Sequence, residues 1–205
     1  IQTPISRVVV DLERFVEDKR EPRAAVGQGV IYSRDTLGRQ VRRALSDEER
    51  GALLDNYYYP WHLKLEMDIQ QQLDRWGQCL LLDCHSFPAE ALENQESYTI
   101  PPPDICLGVH NINTPDWLID SCRRLFLAKG YSVSLDFPYT GCLVPGRFEG
   151  NSEVPAIMLE VNRRLYLKPA CRGAYRLGNE PIKTAKFDAL RNDLWTVMLL
   201  LAQEA

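Results

Sequence analysis

The chain has 205 residues, with 24 Lys and Arg against 28 Asp and Glu, which gives a formal net charge of −4. A chain of this length can bury a sizeable core without disulfides or bound metals to stabilise it. Its 45% hydrophobic and 25% charged residues are average values for a globular protein. The composition argues against long disorder, collagen-like repeats and coiled coils. The mild negative balance argues against a nucleic-acid partner, which normally requires a basic face.

The cysteines and the apolar runs indicate a soluble protein of the cytoplasm. Several of the six cysteines stand among apolar residues and none has CxxC spacing, which favours free thiols over disulfides or a cysteine zinc site. No basic region leads into an apolar one at the start of the sequence, so we expect no signal peptide. The longest apolar run, 195–202, is too short to cross a bilayer, so we expect no membrane partner.

The first quarter of the chain combines a predicted buried strand with a long loop. Residues 5–12 are apolar and β-branched, which predicts a buried strand, and residues 13–29 are polar and carry two glycines and a proline. Ser46 and Glu49 form a capping-box pattern that opens a helix extending to about Trp76. Pro60 lies inside this helix and is expected to kink or interrupt it near Tyr59.

The remainder of the chain alternates between strands and helices. Strands are predicted at 79–83, 104–109, 131–136 and 155–161 (the last ending at either 161 or 167), and helices at 116–129 and 183–203. This alternation predicts an α/β fold, with a mostly parallel mixed sheet flanked by helices on both faces. No repeat or composition break marks a second domain, so we expect residues 1–205 to form a single domain.

Polar side chains gather where three predicted strands end, which is where ligands bind in open α/β sheets. Asp83 and His85 share one face because side chains alternate along a strand. His85 could bind a metal with a carboxylate orienting its ring, or it could cap the strand by hydrogen bonding. His62 and Glu66, one helical turn apart, form either a metal pair or an ordinary helix-surface pair.

Two further strand-end residues are candidates for chemistry. Glu160 is a carboxylate in an otherwise apolar strand, where an unpaired charge is costly. It either pairs with an arginine (Arg14, Arg163 or Arg164) or acts as a general base with a raised pKa. Arg14 either clamps a substrate carboxylate in bidentate fashion or is a solvated loop residue.

Six stretches of the sequence, taken in order, resemble the N-formylglutamate amidohydrolase family, whose fold is similar to that of zinc carboxypeptidases and aspartoacylase-like deacylases. Each stretch is weak alone, but the ordered set is fairly specific. The stretches are Ser6–Arg14, Tyr59–Leu65, Leu80–Ser86, Pro103–Gly108, Phe137–Gly141 and Ala156–Tyr166.

The resemblance implies a reaction and a role for each site residue. Family members hydrolyse the amide of N-formyl-L-glutamate to formate and glutamate, often in histidine breakdown, so the implied partner is a small N-acyl amino acid. His85 is implied to be the last of three ligands to one zinc ion. Glu160 is implied to be the general base that activates the attacking water and then protonates the leaving amine. Arg14 is implied to contact the substrate, with Arg163 as a weaker candidate.

The sequence also departs from the family pattern. Family members carry a His-Ser-Gly or His-Ala-Gly segment and a Thr-Asp segment before the first matching strand, and neither segment occurs in this chain. Glu13 stands where an asparagine is usual, and Gly141-Cys142 replaces a glycine pair. We expect a domain that lacks its N-terminal strand and first metal-ligand segment. The alternatives are a deacylase for another N-acyl amino acid or a cell-wall amide, and a non-catalytic binding module.

Overall fold

The computed structural model describes residues 1–3, 5–90, 98, 100–168 and 182–205. Among these, residues up to 71 belong to one compact unit and the residues that follow belong to a second, and each unit is described on its own. Cys171 lies outside the described residues, so its predicted free thiol stays a prediction. The other five cysteines are free thiols, in agreement with their apolar neighbours in the sequence.

The segment predicted as a buried N-terminal strand is not a strand. Residues 5–12 form turns, one of which is closed by a 2.8 Å hydrogen bond from Val9 N to Ser6 O. Val10 and Leu12 are nonetheless buried, in a small apolar cluster with Val30 and Leu54. The strand prediction is wrong because a turn that buries its apolar side chains in a local cluster has the same sequence pattern as a strand.

The helix predicted to extend to about Trp76 is interrupted beside Pro60, as the sequence predicts. Helix α1 spans Asp47–Leu53, a π-helical turn spans Leu54–Tyr58, and helix α2 spans Tyr59–Trp76. The capping box is present, because the Ser46 side chain accepts from Glu49 N while the Glu49 side chain accepts from Ser46 N. Pro60 has no N–H to give to the preceding turn, which accounts for the break in α-helical hydrogen bonding beside it.

The second unit contains a four-stranded mixed sheet. Its strands are β1 (Leu81–Phe87), β2 (Ile105–Val109), β3 (Val133–Leu135) and β4 (Ala156–Asn162). The spatial order is β1-β4-β2-β3, with β1·β4 and β2·β3 parallel and β2·β4 antiparallel. Two of the three pairings are parallel, so the predicted α/β class with a mostly parallel mixed sheet is confirmed.

One face of this sheet forms the main apolar core. Helices α3 (Asp116–Ala128) and α4 (Phe187–Glu204) supply buried side chains to this core. The core also contains every second side chain along the strands. The strand residues are Ile105, Leu107, Ile157, Leu159 and Val161, with Leu82 and Val133 packed against them. Since side chains alternate along a strand, the remaining residues point to the opposite face of the sheet. None of the described helices is both long and apolar enough to cross a membrane.

Candidate active site

The opposite face of the sheet carries the predicted catalytic residues side by side. In the β1·β4 pairing His85 is the register partner of Glu160, and in the β2·β4 pairing Cys106 is the partner of Glu160 on its other side. Register partners project from the same face, so an imidazole, a carboxylate and a thiol form a row across three strands. Glu160 is only 7% exposed although it is a carboxylate. The structure therefore brings together His85 and Glu160, which the sequence places at the ends of two predicted strands.

Asp83 orients His85. The Nε2 atom of His85 lies 2.8 Å from Oδ1 of Asp83, two residues earlier on the same face of β1. Because an ionised carboxylate can only accept, His85 donates through Nε2. Both residues lie inside β1 rather than beyond its end, because β1 extends to Phe87, four residues past its predicted end. The strand tolerates these polar residues because they are partners of each other, and Asp83 also accepts from Leu143 N.

A loop segment, residues 137–143, lies against this polar face. Leu143 N donates to Oδ2 of Asp83 at 3.0 Å, so the two carboxylate oxygens of Asp83 serve the loop segment and His85 separately. The thiol of Cys106 donates to Tyr139 O at 3.1 Å. Burial raises the pKa of this thiol, and the nearby Glu160 adds to the rise. The loop segment is therefore fixed to the same row of side chains that forms the candidate site.

Gly108 allows the loop segment to approach the sheet this closely. A Cβ atom built at Gly108 would lie less than 3.0 Å from Gly141 O and from the end of the Met158 side chain, and 3.2 Å from Met158 Cβ. Distances below 3.0 Å are not found for real Cβ atoms, and Gly141 O belongs to the backbone of the loop segment. Glycine is thus required here for close contact rather than for an unusual backbone angle.

The arginines that follow β4 make structural contacts. Arg163 donates from Nε to Ser86 Oγ at 3.3 Å and from Nη2 to Ser86 O at 3.1 Å, which joins the end of β4 to β1. Arg164 forms an ion pair with Asp104 at 2.9 Å. These contacts give both arginines a structural role where β4 ends. A substrate contact by Arg163 stays a prediction.

Asp104 should make folding stability sensitive to acid. Burial opposes its ionisation, but hydrogen bonds from Ser132 and Arg164 prevail and hold the pKa of Asp104 below its ordinary value of 3.8. A carboxyl group with a depressed pKa in the folded state stabilises the fold above its unfolded pKa, and this contribution is lost as the pH falls through the folded value. We expect the free energy of unfolding, measured in urea, to fall between pH 5 and pH 3, and Asp104→Asn to flatten part of that slope. The exposed Asp120→Asn is the control, and an equal effect of both variants would contradict the assignment.

Arg14, in the first unit, is held by two buried carboxylates. Its Nε lies 3.4 Å from Asp11 Oδ2 and its Nη1 lies 3.5 Å from Glu21 Oε1, while 27% of its side chain remains exposed. Asp11 also accepts from Tyr32 OH at 2.9 Å and pairs with Arg7 at 3.0 Å. Arg14 is therefore not the solvated loop residue that we considered as an alternative.

Sequence reasoning missed the partners of Arg14. Glu21 stands in a polar loop where charged residues are expected to face solvent, yet it is 5% exposed and also accepts from Phe15 N and Arg23 N. Tyr32 is 4% exposed, and burial together with Asp11 raises its pKa. The only available signal was Pro22 after Glu21, which is typical of the start of a short helical turn capped by an acid.

Strand β1 of the second unit carries two side chains of types that bind zinc in other proteins. His85 and Asp83 present an imidazole and a carboxylate on one strand, and these are zinc-binding groups. A carboxylate beside a ligating histidine is also the usual arrangement for orienting the ring. A catalytic zinc ion normally takes three protein ligands. The donor chemistry of β1 thus fits up to two of these ligand positions.

Comparison with known proteins identifies the family. The family model for N-formylglutamate amidohydrolase matches residues 1–167, which is most of the chain. The chain belongs to the N-formylglutamate amidohydrolase family. The resemblance stated from the six sequence stretches is therefore confirmed, and family membership supports an amidohydrolase activity on a small molecule. No match was found among curated proteins.

Two solved structures share the fold. One is the N-formylglutamate amidohydrolase from Ralstonia eutropha JMP134, with a TM-score of 0.79 and 23% identity, over 97% of this chain and 74% of that one. The other is a gene product of Agrobacterium tumefaciens, with a TM-score of 0.66 and 16% identity, over 98% of this chain and 69% of that one. Because both proteins share less than 25% sequence identity with this chain, the likeness shows a common fold and nothing further.

Proposed function

We propose that this protein hydrolyses the amide bond of a small N-acyl acidic amino acid, and that its substrate is N-formyl-L-glutamate. The observation that carries the proposal is the pairing of buried Glu160 with His85 across β1 and β4, with Asp83 2.8 Å from the imidazole. The match to the family model supports the choice of substrate. The neighbouring Ralstonia protein bears the same family name.

Glu160 moves the proton in the proposed reaction. A water molecule attacks the formyl carbon, a Glu160 carboxylate oxygen takes the proton that the water releases, and the same carboxyl group gives that proton to the amide nitrogen as the C–N bond breaks. The products are formate and L-glutamate, with atoms and charge balanced. The burial of Glu160 keeps bulk water from competing for this proton.

His85 is the proposed zinc ligand, with Asp83 either orienting its ring or ligating beside it. When bound, zinc makes water nucleophilic near neutral pH and polarises the amide carbonyl. Arg14 is the proposed contact for a substrate carboxylate, because its guanidinium lies beside Asp11 and Glu21 while part of the side chain stays exposed. We also propose a cytoplasmic location, which the five free cysteines support.

The test combines metal binding with turnover. We expect the purified protein to bind zinc in calorimetry, and the zinc-loaded protein to release formate from N-formyl-L-glutamate faster than it releases acetate or succinate from the corresponding acyl glutamates. His85→Ala should weaken zinc binding by at least tenfold, whereas His110→Asn, which keeps an acceptor at the Nδ1 position, should leave it unchanged. Unaltered zinc affinity in His85→Ala would overturn the ligand assignment. Preference for a larger acyl group would overturn the substrate.

A further inference from the structure

Two side chains from the interrupted helix hold the backbone around Arg14. Tyr58 OH donates to Arg14 O at 3.0 Å, and Nε2 of His62 lies 2.7 Å from Leu12 O. Since a carbonyl oxygen only accepts, His62 donates through Nε2. The two bonds fix the carbonyls on either side of Glu13. Residues 12–14 belong to no helix or strand, so these contacts replace the hydrogen bonds that regular structure would supply.

The π-helical turn sets which face of the helix meets this segment. Such a turn closes its hydrogen bonds over one more residue than an α-helix does, and so rotates every later side chain about the axis. Tyr58 is the last residue of the turn Leu54–Tyr58, and its ring lies 4.2 Å from that of His62 in α2. π-helical turns inside helices occur frequently at functional sites. Here the turn places two donors toward the segment that carries Arg14.

Packing and charge complete the support of this segment. Tyr58 packs against the buried cluster that contains Val10 and Leu12, so the segment is anchored by apolar contact as well as by hydrogen bonds. Burial lowers the pKa of His62, which keeps its ring neutral at pH 7 beside the Leu12 carbonyl. At the other end of Arg14 the guanidinium meets Asp11 and Glu21. Backbone and side chain of Arg14 are thus fixed by separate contacts.

We propose that Tyr58 and His62 are positioning residues for Arg14, which they hold so that its guanidinium is presented to a substrate carboxylate in a single orientation. The inference rests on the proposed function, because it assigns the support of the proposed carboxylate contact. A planar guanidinium recognises a carboxylate through a fixed fork of donors. A shift of the Arg14 backbone would therefore misalign these hydrogen bonds even though the charge is retained. Loss of either donor should therefore weaken substrate binding more than it slows turnover.

The first experiment compares variants that remove and restore the donors. Tyr58→Phe keeps the ring and loses the hydroxyl, and we expect KM for N-formyl-L-glutamate to rise about three- to tenfold while kcat stays within about twofold. His62→Ala should act in the same way, and His62→Gln, whose amide can donate from near the Nε2 position, should restore most of the affinity. The exposed Tyr57→Phe is the matched control and should change neither constant. A lowered melting temperature with unchanged KM in Tyr58→Phe would reduce its role to stability and overturn the proposal.

The second experiment separates this inference from the proposed function. Arg14→Ala is combined with Tyr58→Phe, and the dissociation constant of L-glutamate is measured by calorimetry beside KM, so that one readout does not need turnover. We expect Tyr58→Phe to have no further effect once Arg14 is removed. If Arg14→Ala leaves both constants unchanged, the carboxylate contact in the proposed function is wrong. If Arg14→Ala weakens binding but Tyr58→Phe alone has no effect on the parent protein, or has the same effect with and without Arg14, the positioning role is wrong and the contact stands.

Discussion

Glu160→Gln is expected to lower kcat for N-formyl-L-glutamate by about 10³-fold, with KM changed by less than about threefold. The amide has nearly the size of the carboxylate and can stay in the same buried place on β4, but it cannot take a proton from water or return one to the leaving amine. The measurement is steady-state release of formate, together with a circular dichroism spectrum to show that the sheet is retained.

Glu153→Gln is the matched control for this variant. Glu153 is exposed just before β4, and the contacts of its backbone, a bond from Cys79 N to Glu153 O and one from Glu153 N to Asn151 Oδ1, do not involve its carboxylate. We expect its kcat to equal that of the parent. A kcat within tenfold of the parent in Glu160→Gln would show that another group moves the proton.

Gly108→Ala is expected to have the largest effect on stability. The added methyl group would meet the backbone oxygen of Gly141 and the side chain of Met158 at distances that atoms do not adopt, so the 137–143 segment must move away from the sheet. Forcing a methyl group into packed structure costs about 1–3 kcal/mol, and we expect the upper end because one obstacle is backbone. For a chain of this size the melting temperature should fall by about 6–12 °C.

Gly146→Ala provides the comparison, since nothing lies within 4 Å of a Cβ built there and its backbone angle is not in the left-handed region. Its free energy of unfolding should stay within about 0.5 kcal/mol of the parent. Equal stability of the two alanine variants would mean that the loop segment is not packed on the sheet as described. If Gly108→Ala is folded but also loses activity, the position of the loop segment matters to the site as well as to stability.

The sequence patterns predict the bounds of some elements accurately and misplace those of others, depending on whether polar residues interrupt the apolar pattern. The predicted strand at 104–109 and helix at 116–129 agree with β2 and α3 within a residue, because their apolar residues face a single core. The strand predicted at 79–83 ends four residues before β1 does. A polar residue after an apolar run usually marks a strand end, but Asp83 and His85 belong to the polar face of a strand that continues to Phe87. Residues 163–165 form a short helical turn rather than an extension of β4.

The candidate site was only partly predictable from the sequence. The sequence places His85 and Glu160 at the ends of two predicted strands, but alternation does not reveal which strands are neighbours. The parallel register of β1 and β4 brings the two side chains together. The acids beside Arg14 could not be predicted. Glu21 is buried by the conformation of an irregular loop, which leaves no periodic pattern in the sequence. The contact of Arg163 with Ser86 likewise depends on strand pairing between residues 77 positions apart.

The shared carboxylate of Asp83 restricts what can stand at that position and decides where the hydrogen of His85 sits. Leu143 N requires an acceptor, and one oxygen of Asp83 meets it, while the other oxygen receives the hydrogen of Nε2. An asparagine has one acceptor only, so serving Leu143 would turn its NH₂ group toward His85. The imidazole would then have to accept at Nε2 and carry its hydrogen on Nδ1, the nitrogen otherwise left with a lone pair. A change of one atom in a side chain of equal size would thus invert the tautomer of the histidine.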